Sequence, residues 1–105
     1  MDALLAMRAF AALSQATRLS AFQLLVAHEP LGLPAGQLAE ELGVPANTLS
    51  VHLRLLQEAG LVTSRRASRQ IIYRAHIKQV DSVANFLSKN CCKANGKTCK
   101  PQRKA

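Results

Sequence analysis

Three cysteines near the C-terminus are the residues of this 105-residue chain with the most distinctive chemistry. Cys91, Cys92 and Cys99 all lie in the segment NCCKANGKTC, and no cysteine precedes them. Cysteine is usually a buried residue, so three thiols in a polar segment are unusual. Thiolates bind soft, thiophilic ions in preference to hard ones, and the lysines of this segment favour the thiolate form. The segment is therefore a candidate site for a soft ion.

The spacing of the three thiols allows one chain to supply all of them to one ion. Cys91 and Cys92 can both reach an ion if the chain is not helical there, and a turn at Asn95-Gly96 would let Cys99 fold back. Three thiolates suit a pyramidal ion better than tetrahedral zinc. Other interpretations stay open: a disulfide between Cys99 and one of the pair, a two-thiol site made by the pair alone, or thiols without function. A bridge between adjacent cysteines would be strained.

Positive charge is concentrated in the second half of the chain. Residues 1–53 contain two basic and four acidic residues, a net charge of −2, whereas residues 54–105 contain twelve basic and two acidic residues, a net charge of +10. Such asymmetry is typical of a protein that contacts nucleic acid with one part of its surface. The alternative is a solvated basic surface that has no partner.

Composition also bears on class and location. Hydrophobic residues make up 49% of the chain, enough for one modest core, and a domain this small is favoured to oligomerise. No apolar run approaches the roughly 18 residues of a membrane span, and no basic cluster of a signal peptide precedes the first apolar stretch. We therefore expect a cytoplasmic protein with no membrane partner and with reduced cysteines. A thiol enzyme is not expected, because no histidine in the cysteine segment could act as its base.

The segment AGQLAEELGVPANTLSVHLRLLQEAGLV predicts a helix-turn-helix. Gly43 permits a tight turn with positive φ, Val44 fills the corner, and Pro45 can occupy the first turn of the second helix. Apolar residues line the inner faces of both helices: Leu38, Ala39, Leu42, Leu49, Leu53 and Leu56. This combination favours a helix-turn-helix over a generic helical hairpin, which remains the alternative.

A basic hairpin is predicted directly after this motif. Gly60 should end the second helix, Leu61 and Val62 begin one strand, and the residues Ile71 to Tyr73 form another. The segment SRRASRQ between them is predicted to be a polar loop with three arginines. A helix-turn-helix followed by such a hairpin is a winged helix, and its arginines suit phosphates or a narrow minor groove.

Amphipathic helices are predicted at both ends of the chain. Leu4, Met7, Phe10 and Leu13 share one face of a first helix, and residues 76–90 form a last helix with a wide apolar face. Ser14 and Thr17 are candidate caps for a second helix. Such apolar stripes are normally core, but their width on the terminal helices also predicts a dimer interface. The expected fold is mainly α with a small β-hairpin, a homodimeric winged helix-turn-helix.

The expected domain organisation has two parts. Residues 1–90 form the DNA-binding and dimerisation domain. Residues 91–105 form a basic cysteine-containing tail, which cannot bury enough apolar surface to fold alone.

Over residues 4 to 90 the chain resembles the ArsR/SmtB family of metal-sensing transcriptional repressors. The matching stretches are LSQATRLSAFQLL, QLAEELGVPANTLSVHLRLLQEAGLV and the arginine-rich SRRASRQIIYR. The resemblance implies a homodimer, associated through its first and last helices, that binds double-stranded operator DNA and dissociates from it when metal binds. A metal-buffering protein, the competing class, would need neither the helix-turn-helix nor the wing.

Some members of this family sense trivalent arsenic through cysteines just beyond the last helix, and this tail is similar to theirs. The resemblance implies that Cys91, Cys92 and Cys99 bind As(III) or Sb(III) as inducer, with no organic cofactor. Arsenite favours three thiolates in a pyramid, which agrees with the donor set. A thiol redox sensor, or a sensor of methylarsenite or another soft ion through the Cys91–Cys92 pair, is the alternative.

Two other metal sites of the family are not expected here. Where some members have cysteines in the first helix of the reading motif, this chain has Ala35, Gln37 and Leu38. A zinc site on the last helix would use Asp81 and His76, but no second histidine follows and zinc usually takes four ligands. His28 is interpreted as structural.

The start of the second helix of the motif should supply the base-edge contacts, and the wing should contact mostly the DNA backbone. His52 and Arg54 could touch bases or phosphates. The complete set of expected DNA contacts is Asn47, Thr48, Ser50, Val51, His52, Arg54, Arg65, Arg66 and Arg69.

Overall fold

The computed structural model describes residues 1–89, so Cys91, Cys92, Cys99 and the rest of the tail lie outside the described residues. Within that part the chain forms five helices and three strands. In chain order they are α1 (Ala3–Leu13), α2 (Ala16–Ala27), β1 (Leu33–Pro34), α3 (Ala35–Leu42), α4 (Ala46–Glu58), β2 (Val62–Ala67), β3 (Gln70–Ala75) and α5 (Ile77–Ser88). This order confirms the predicted winged helix-turn-helix.

The core lies between the helix-turn-helix, α2 and the sheet. Its most completely buried side chains are Leu25, Leu38, Leu49, Leu53, Leu56, Leu61 and Val62. Burying one leucine stabilises the fold by about 1.5–3 kcal/mol, so this cluster fixes how α4 sits on α3 and the sheet. The buried set includes the predicted inner faces of α3 and α4, apart from Leu42, which is half-buried.

The turn between α3 and α4 follows the sequence prediction closely. Gly43 has φ of +70°, a conformation that disfavours side chains, and the N–H of Val44 donates to the Ala39 carbonyl at 3.1 Å. Val44 packs partly buried against the core. Pro45 is the N-cap of α4 rather than a residue of its first turn, which corrects the prediction by one position.

Most of the predicted apolar stripe of α1 does not enter the core of the subunit, although such stripes are normally core; of its four residues, only Leu13 packs partly buried against the core. Ala6, Ala9 and Ala12 form the buried face, whereas Leu4, Met7 and Phe10 are exposed. Alanines let α1 approach the body of the domain closely, and the larger side chains of the stripe then lie on the outer face. Asp2 begins the helix by accepting the Leu5 N–H at 2.9 Å.

Two local predictions about α2 and the sheet are also corrected. Gln15 caps α2 through Oε1, which accepts the Arg18 N–H at 2.9 Å, so neither Ser14 nor Thr17 is its cap. The sheet has three antiparallel strands in the order β1-β3-β2, because Leu33 and Pro34 add a short strand beside β3. Gly32 precedes this strand, and a Cβ there would collide with the Tyr73 carbonyl oxygen.

The hairpin formed by β2 and β3 is here called the wing. Its strands are longer, and the loop that connects them is shorter, than predicted. Ala67 pairs with Gln70, so only Ser68 and Arg69 form the connection. Of these two residues, only Ser68 has a positive φ, which is +61°. Arg65 and Arg66 therefore belong to β2 rather than to a loop, and their positions are fixed by strand pairing.

The last helix, α5, starts against the end of α4. His76 precedes it and donates from Nδ1 to the Gly60 carbonyl at 2.9 Å, while its backbone N–H donates to the Leu61 carbonyl at 2.8 Å. Val83 is the buried residue of this helix. Among residues 1–89, no helix combines the length and apolarity that crossing a membrane requires.

Candidate nucleic-acid interface

The outer face of α4, the reading helix, carries the predicted base-contacting side chains. Leu49, Leu53 and Leu56 face the core, so the opposite side of the helix faces solvent. The exposed residues on it include Asn47, Thr48, Ser50, Val51 and Arg54. The fold therefore presents five of the six predicted residues of this helix on one accessible surface, of a shape that fits a DNA major groove.

The start of α4 is held by its own polar side chains. Asn47 Oδ1 accepts the Thr48 N–H at 2.9 Å, because Pro45 as N-cap provides no side-chain acceptor. Ser50 Oγ lies 3.4 Å from the Asn47 carbonyl. Asn47 thus has a structural role at the helix start in addition to any contact with a base.

Arg54 is the basic residue of the exposed face of α4. Its Nε lies 3.8 Å from the Glu58 carboxylate, one turn further on, and both side chains are about two-thirds exposed. Exposed pairs of this kind contribute little to stability. Arg54 can therefore exchange Glu58 for a DNA phosphate at small cost.

His52 differs from the other predicted residues of α4 because it is half-buried. Its Nδ1 lies 3.3 Å from Nη1 of Arg18, a residue near the start of α2. Arg18 lies in one of the stretches that resemble the family, but no role was predicted for it. Its role depends on a contact between residues 34 positions apart, which periodicity and composition do not reveal.

The wing extends the basic surface beside α4. Arg65, Arg66 and Arg69 are exposed. Arg65 pairs with Ile72 and Arg66 with Ile71, so the two arginines point to opposite faces of the hairpin. Arg66 shares its face with Ser64, and Ser64 faces α4. The three arginines therefore surround the wing rather than forming one row.

Two polar contacts fix the wing relative to the rest of the domain. Gln57 of α4 donates from Nε2 to Ser64 Oγ of β2 at 2.9 Å. Arg74 of β3 makes a bidentate pair with Glu29, which follows α2, through Nη2–Oε1 at 2.8 Å and Nε–Oε2 at 3.2 Å. Hydrogen bonds from Arg74 hold the pKa of Glu29 below its ordinary value, and the same contact raises the pKa of Arg74. The side chain of Arg74 therefore stabilises the fold through Glu29, unlike those of the other wing arginines.

A second surface is apolar and consists of the outer faces of α1 and α5, here called the terminal-helix surface. Its large exposed side chains are Leu4, Leu5, Met7, Phe10, Ile77 and Leu87. Exposed apolar patches of this kind usually mark an interaction site. Met1 and Phe86 line one shallow depression with Lys89, whose Nζ lies 4.9 Å from the Phe86 ring centroid. The chain therefore leaves α5 beside the start of α1.

The histidines and acids of residues 1–89 form no group of three that could hold a metal ion. His28 is the C-cap of α2, and Nδ1 of His76 is occupied by the Gly60 carbonyl. The predicted ligands Cys91, Cys92 and Cys99 lie outside the described residues.

Comparisons with known proteins agree with this geometry. A family model described as a helix-turn-helix domain matches residues 13–65, from the end of α1 into the wing. The HTH-type transcriptional regulator KmtR from Mycobacterium tuberculosis is 36% identical in an alignment 86 positions long, and the match covers 77% of this chain. The chain spans only 64% of the length of that relative.

Solved structures give the same result. An ArsR-like transcriptional regulator from Rhodococcus sp. RHA1 is 31% identical, with a TM-score of 0.74 over 86% of this chain and 82% of that one. A protein described as a possible transcriptional regulator for arsenical resistance is 29% identical, with a TM-score of 0.64 over 76% of this chain and 80% of that one.

Proposed function

This chain belongs to the ArsR/SmtB family of DNA-binding transcriptional regulators, and on that premise we propose that it is an arsenite-responsive repressor. It binds double-stranded operator DNA as a homodimer and leaves the DNA when As(III) or Sb(III) binds Cys91, Cys92 and Cys99. The DNA-binding part of the proposal is supported by the exposed face of α4 and the arginines of the wing beside it.

The proposed response to the ion is supported by where the cysteine segment begins, which is just after the end of α5. The helix α5 ends at Ser88, so Cys91 follows it by three residues. The end of α5 lies beside Met1, at the terminal-helix surface. A ligand that orders the cysteine segment would therefore act next to the surface proposed to join the two subunits.

The terminal-helix surface also supports the proposed dimer. Leu4 and Met7 of α1 and Leu87 of α5 are each more than half exposed, which is costly for side chains of this size in a single subunit. A second copy of the chain would cover them. The two reading helices would then be held at a fixed separation, as a palindromic operator requires.

The donor set supports a soft trivalent ion as the inducer. Three thiols lie within nine residues, and no histidine or carboxylate lies among them. Thiolates select soft ions, and three of them match the pyramidal preference of As(III). The solved relative described as a possible regulator for arsenical resistance adds support from the family.

Release requires that the ion bind the low-affinity form of the dimer more tightly than the DNA-bound form. Coupling of this kind typically changes affinity by about 5- to 150-fold. In this chain the contact between α5 and α1 can transmit the change in affinity, because α1 also contacts the reading helix α4.

The test is fluorescence anisotropy of the full chain with labelled DNA from its own promoter region. The metal titrations use a phosphine reductant rather than a dithiol that would compete for arsenite, and the reductant is removed before peroxide is added. Arsenite and antimonite should each raise the Kd about tenfold or more, within the usual range of coupling. Zinc and peroxide should leave it unchanged. Release by peroxide but not arsenite would establish the redox alternative, and release by methylarsenite alone would favour a site made by the Cys91–Cys92 pair.

A further inference from the structure

Arg18 connects three helices through hydrogen bonds. Its Nε donates to the Ala12 carbonyl of α1 at 2.6 Å, and its Nη1 lies 3.3 Å from Nδ1 of His52 in α4. The backbone N–H of Arg18 donates to Oε1 of Gln15 at the start of α2. The guanidinium therefore bridges the last turn of α1 to the middle of the reading helix.

The chemistry of this bridge fixes the tautomer of His52. A guanidinium has only donors and keeps its charge in proteins, so Nδ1 of His52 must accept. A ring that accepts at Nδ1 carries its proton on Nε2. The half-buried His52 ring is then held in one orientation, with its Nε2–H donor beside the exposed face of α4.

Packing between α1 and the second half of α4 is incomplete beside this bridge. Ala12 is buried in the core, but an open cleft of about 630 Å³ lies between the two helices, and its lining includes Ala11, Ala12, Arg18, Leu55 and Ala59. The hydrogen bonds of Arg18 therefore add a defined polar link between α1 and α4 at the edge of this cleft.

We propose that Arg18 is a positioning residue for DNA reading. It fixes the rotation of α4 and the orientation of His52 relative to α1, the helix proposed to join the subunits. Through this bridge the geometry of the dimer determines how the two reading helices meet the operator. The inference rests on the proposed DNA-binding function but not on the identity of the inducer.

The test uses Arg18→Gln and Arg18→Lys in the full chain, with Kd measured for operator and for unrelated DNA over a range of salt concentrations. Each variant should lose operator affinity about tenfold, the scale of a charge-assisted hydrogen bond, while affinity for unrelated DNA changes little. The slope of log K against log salt should stay at the wild-type value. Leu33→Val, a core change in β1, serves as a destabilised control that leaves Arg18 intact.

A phosphate contact by Arg18 would give the opposite pattern. In Arg18→Gln, affinity would fall equally for both DNAs and the slope would drop by about 0.9 for each arginine removed. That result would overturn the proposal, as would a loss of operator preference in Leu33→Val equal to that in the Arg18 variants.

A second measurement needs no variant. Long-range proton–nitrogen correlation spectra of the wild-type chain should show the His52 proton on Nε2. A proton on Nδ1 would rule out the bridge even if the Arg18 variants failed to fold. If the wild-type chain showed no operator preference, the proposed function would fail, while the tautomer would still report whether the bridge exists.

Discussion

Arg74 and Glu29 form a bidentate ion pair that ties β3 to the segment following α2, with Nη2–Oε1 at 2.8 Å and Nε–Oε2 at 3.2 Å. Glu29 is mostly covered, with 20% of its side chain exposed, whereas Arg74 is 43% exposed. The pair joins residues 45 positions apart and holds the base of the wing to the helical part of the domain.

This pair predicts a dependence of stability on pH. Hydrogen bonds from Arg74 hold the pKa of Glu29 below its ordinary 4.5 in the folded chain. A carboxylate with a depressed folded pKa contributes stability above its unfolded pKa and loses that contribution as pH falls through its folded pKa. Glu29→Gln should therefore be less stable than wild type at pH 7 and should approach it in acid.

Urea unfolding at several pH values measures this difference in the free energy of unfolding. Glu40→Gln, which removes an exposed acid from α3, is the matched control and should show a smaller effect at pH 7. A Glu29→Gln deficit that did not shrink as the pH was lowered would mean that the charge of Glu29 is not its source.

The terminal-helix surface predicts the oligomeric state. Met7→Glu should convert the dimer to a monomer, because it places a charge in the centre of the apolar face of α1, where it would be buried on association. Leu31→Glu is the control, since Leu31 is 78% exposed but lies in the loop between α2 and β1. Sedimentation at micromolar concentration distinguishes the two. A monomeric wild type, or a monomeric Leu31→Glu, would contradict this assignment.

The wing predicts a sequence-independent contribution to DNA binding. Arg66→Ala should weaken binding to operator and unrelated DNA alike, because a phosphate contact carries no sequence information. For a dimer, two lost contacts should lower the salt slope by about 1.8, at 0.9 each. Lys78→Ala removes the same charge from α5 and should leave the slope unchanged. A change of sequence preference in Arg66→Ala would show that the residue reads bases.

Val51 tests base reading by α4. It is 44% exposed on the helix face opposite the core, where its methyl groups can meet a thymine methyl. Val51→Ala should relax discrimination at one base pair of each half-site, by less than the about 1–3 kcal/mol that one mismatched base pair typically costs. Binding to operators changed one base pair at a time measures this. Glu40→Ala on α3 is the control, and equal losses at every position would argue against a base contact.

Local features of the sequence predicted most of the fold. Gly43 and Gly60 both adopt positive φ at helix ends, and Leu49, Leu53 and Leu56 are buried as their spacing required. These predictions succeed because turn chemistry and helical periodicity are properties of a few neighbouring residues. The strand at Leu33–Pro34 was missed because two residues carry no periodic pattern.

The outer stripe of α1 shows the limit of periodicity. A stripe such as Leu4, Met7 and Phe10 looks the same whether it faces the core of one subunit or another subunit. The burial of Ala6, Ala9 and Ala12 on the opposite face shows only that this stripe faces away from the core of its own subunit. Arg18 and His52 show a different limit, because their contact depends on how α1, α2 and α4 pack together.

Cys91, Cys92 and Cys99 are proposed to bind the inducing ion together, and a single substitution at Cys99 can refute this. Operator binding of Cys99→Ser should equal that of wild type without arsenite, and added arsenite should release wild type but not the variant. Cys91→Ser is expected to behave like Cys99→Ser, since each removes one of three ligands. Retention of full arsenite response by Cys99→Ser would contradict the three-thiol site.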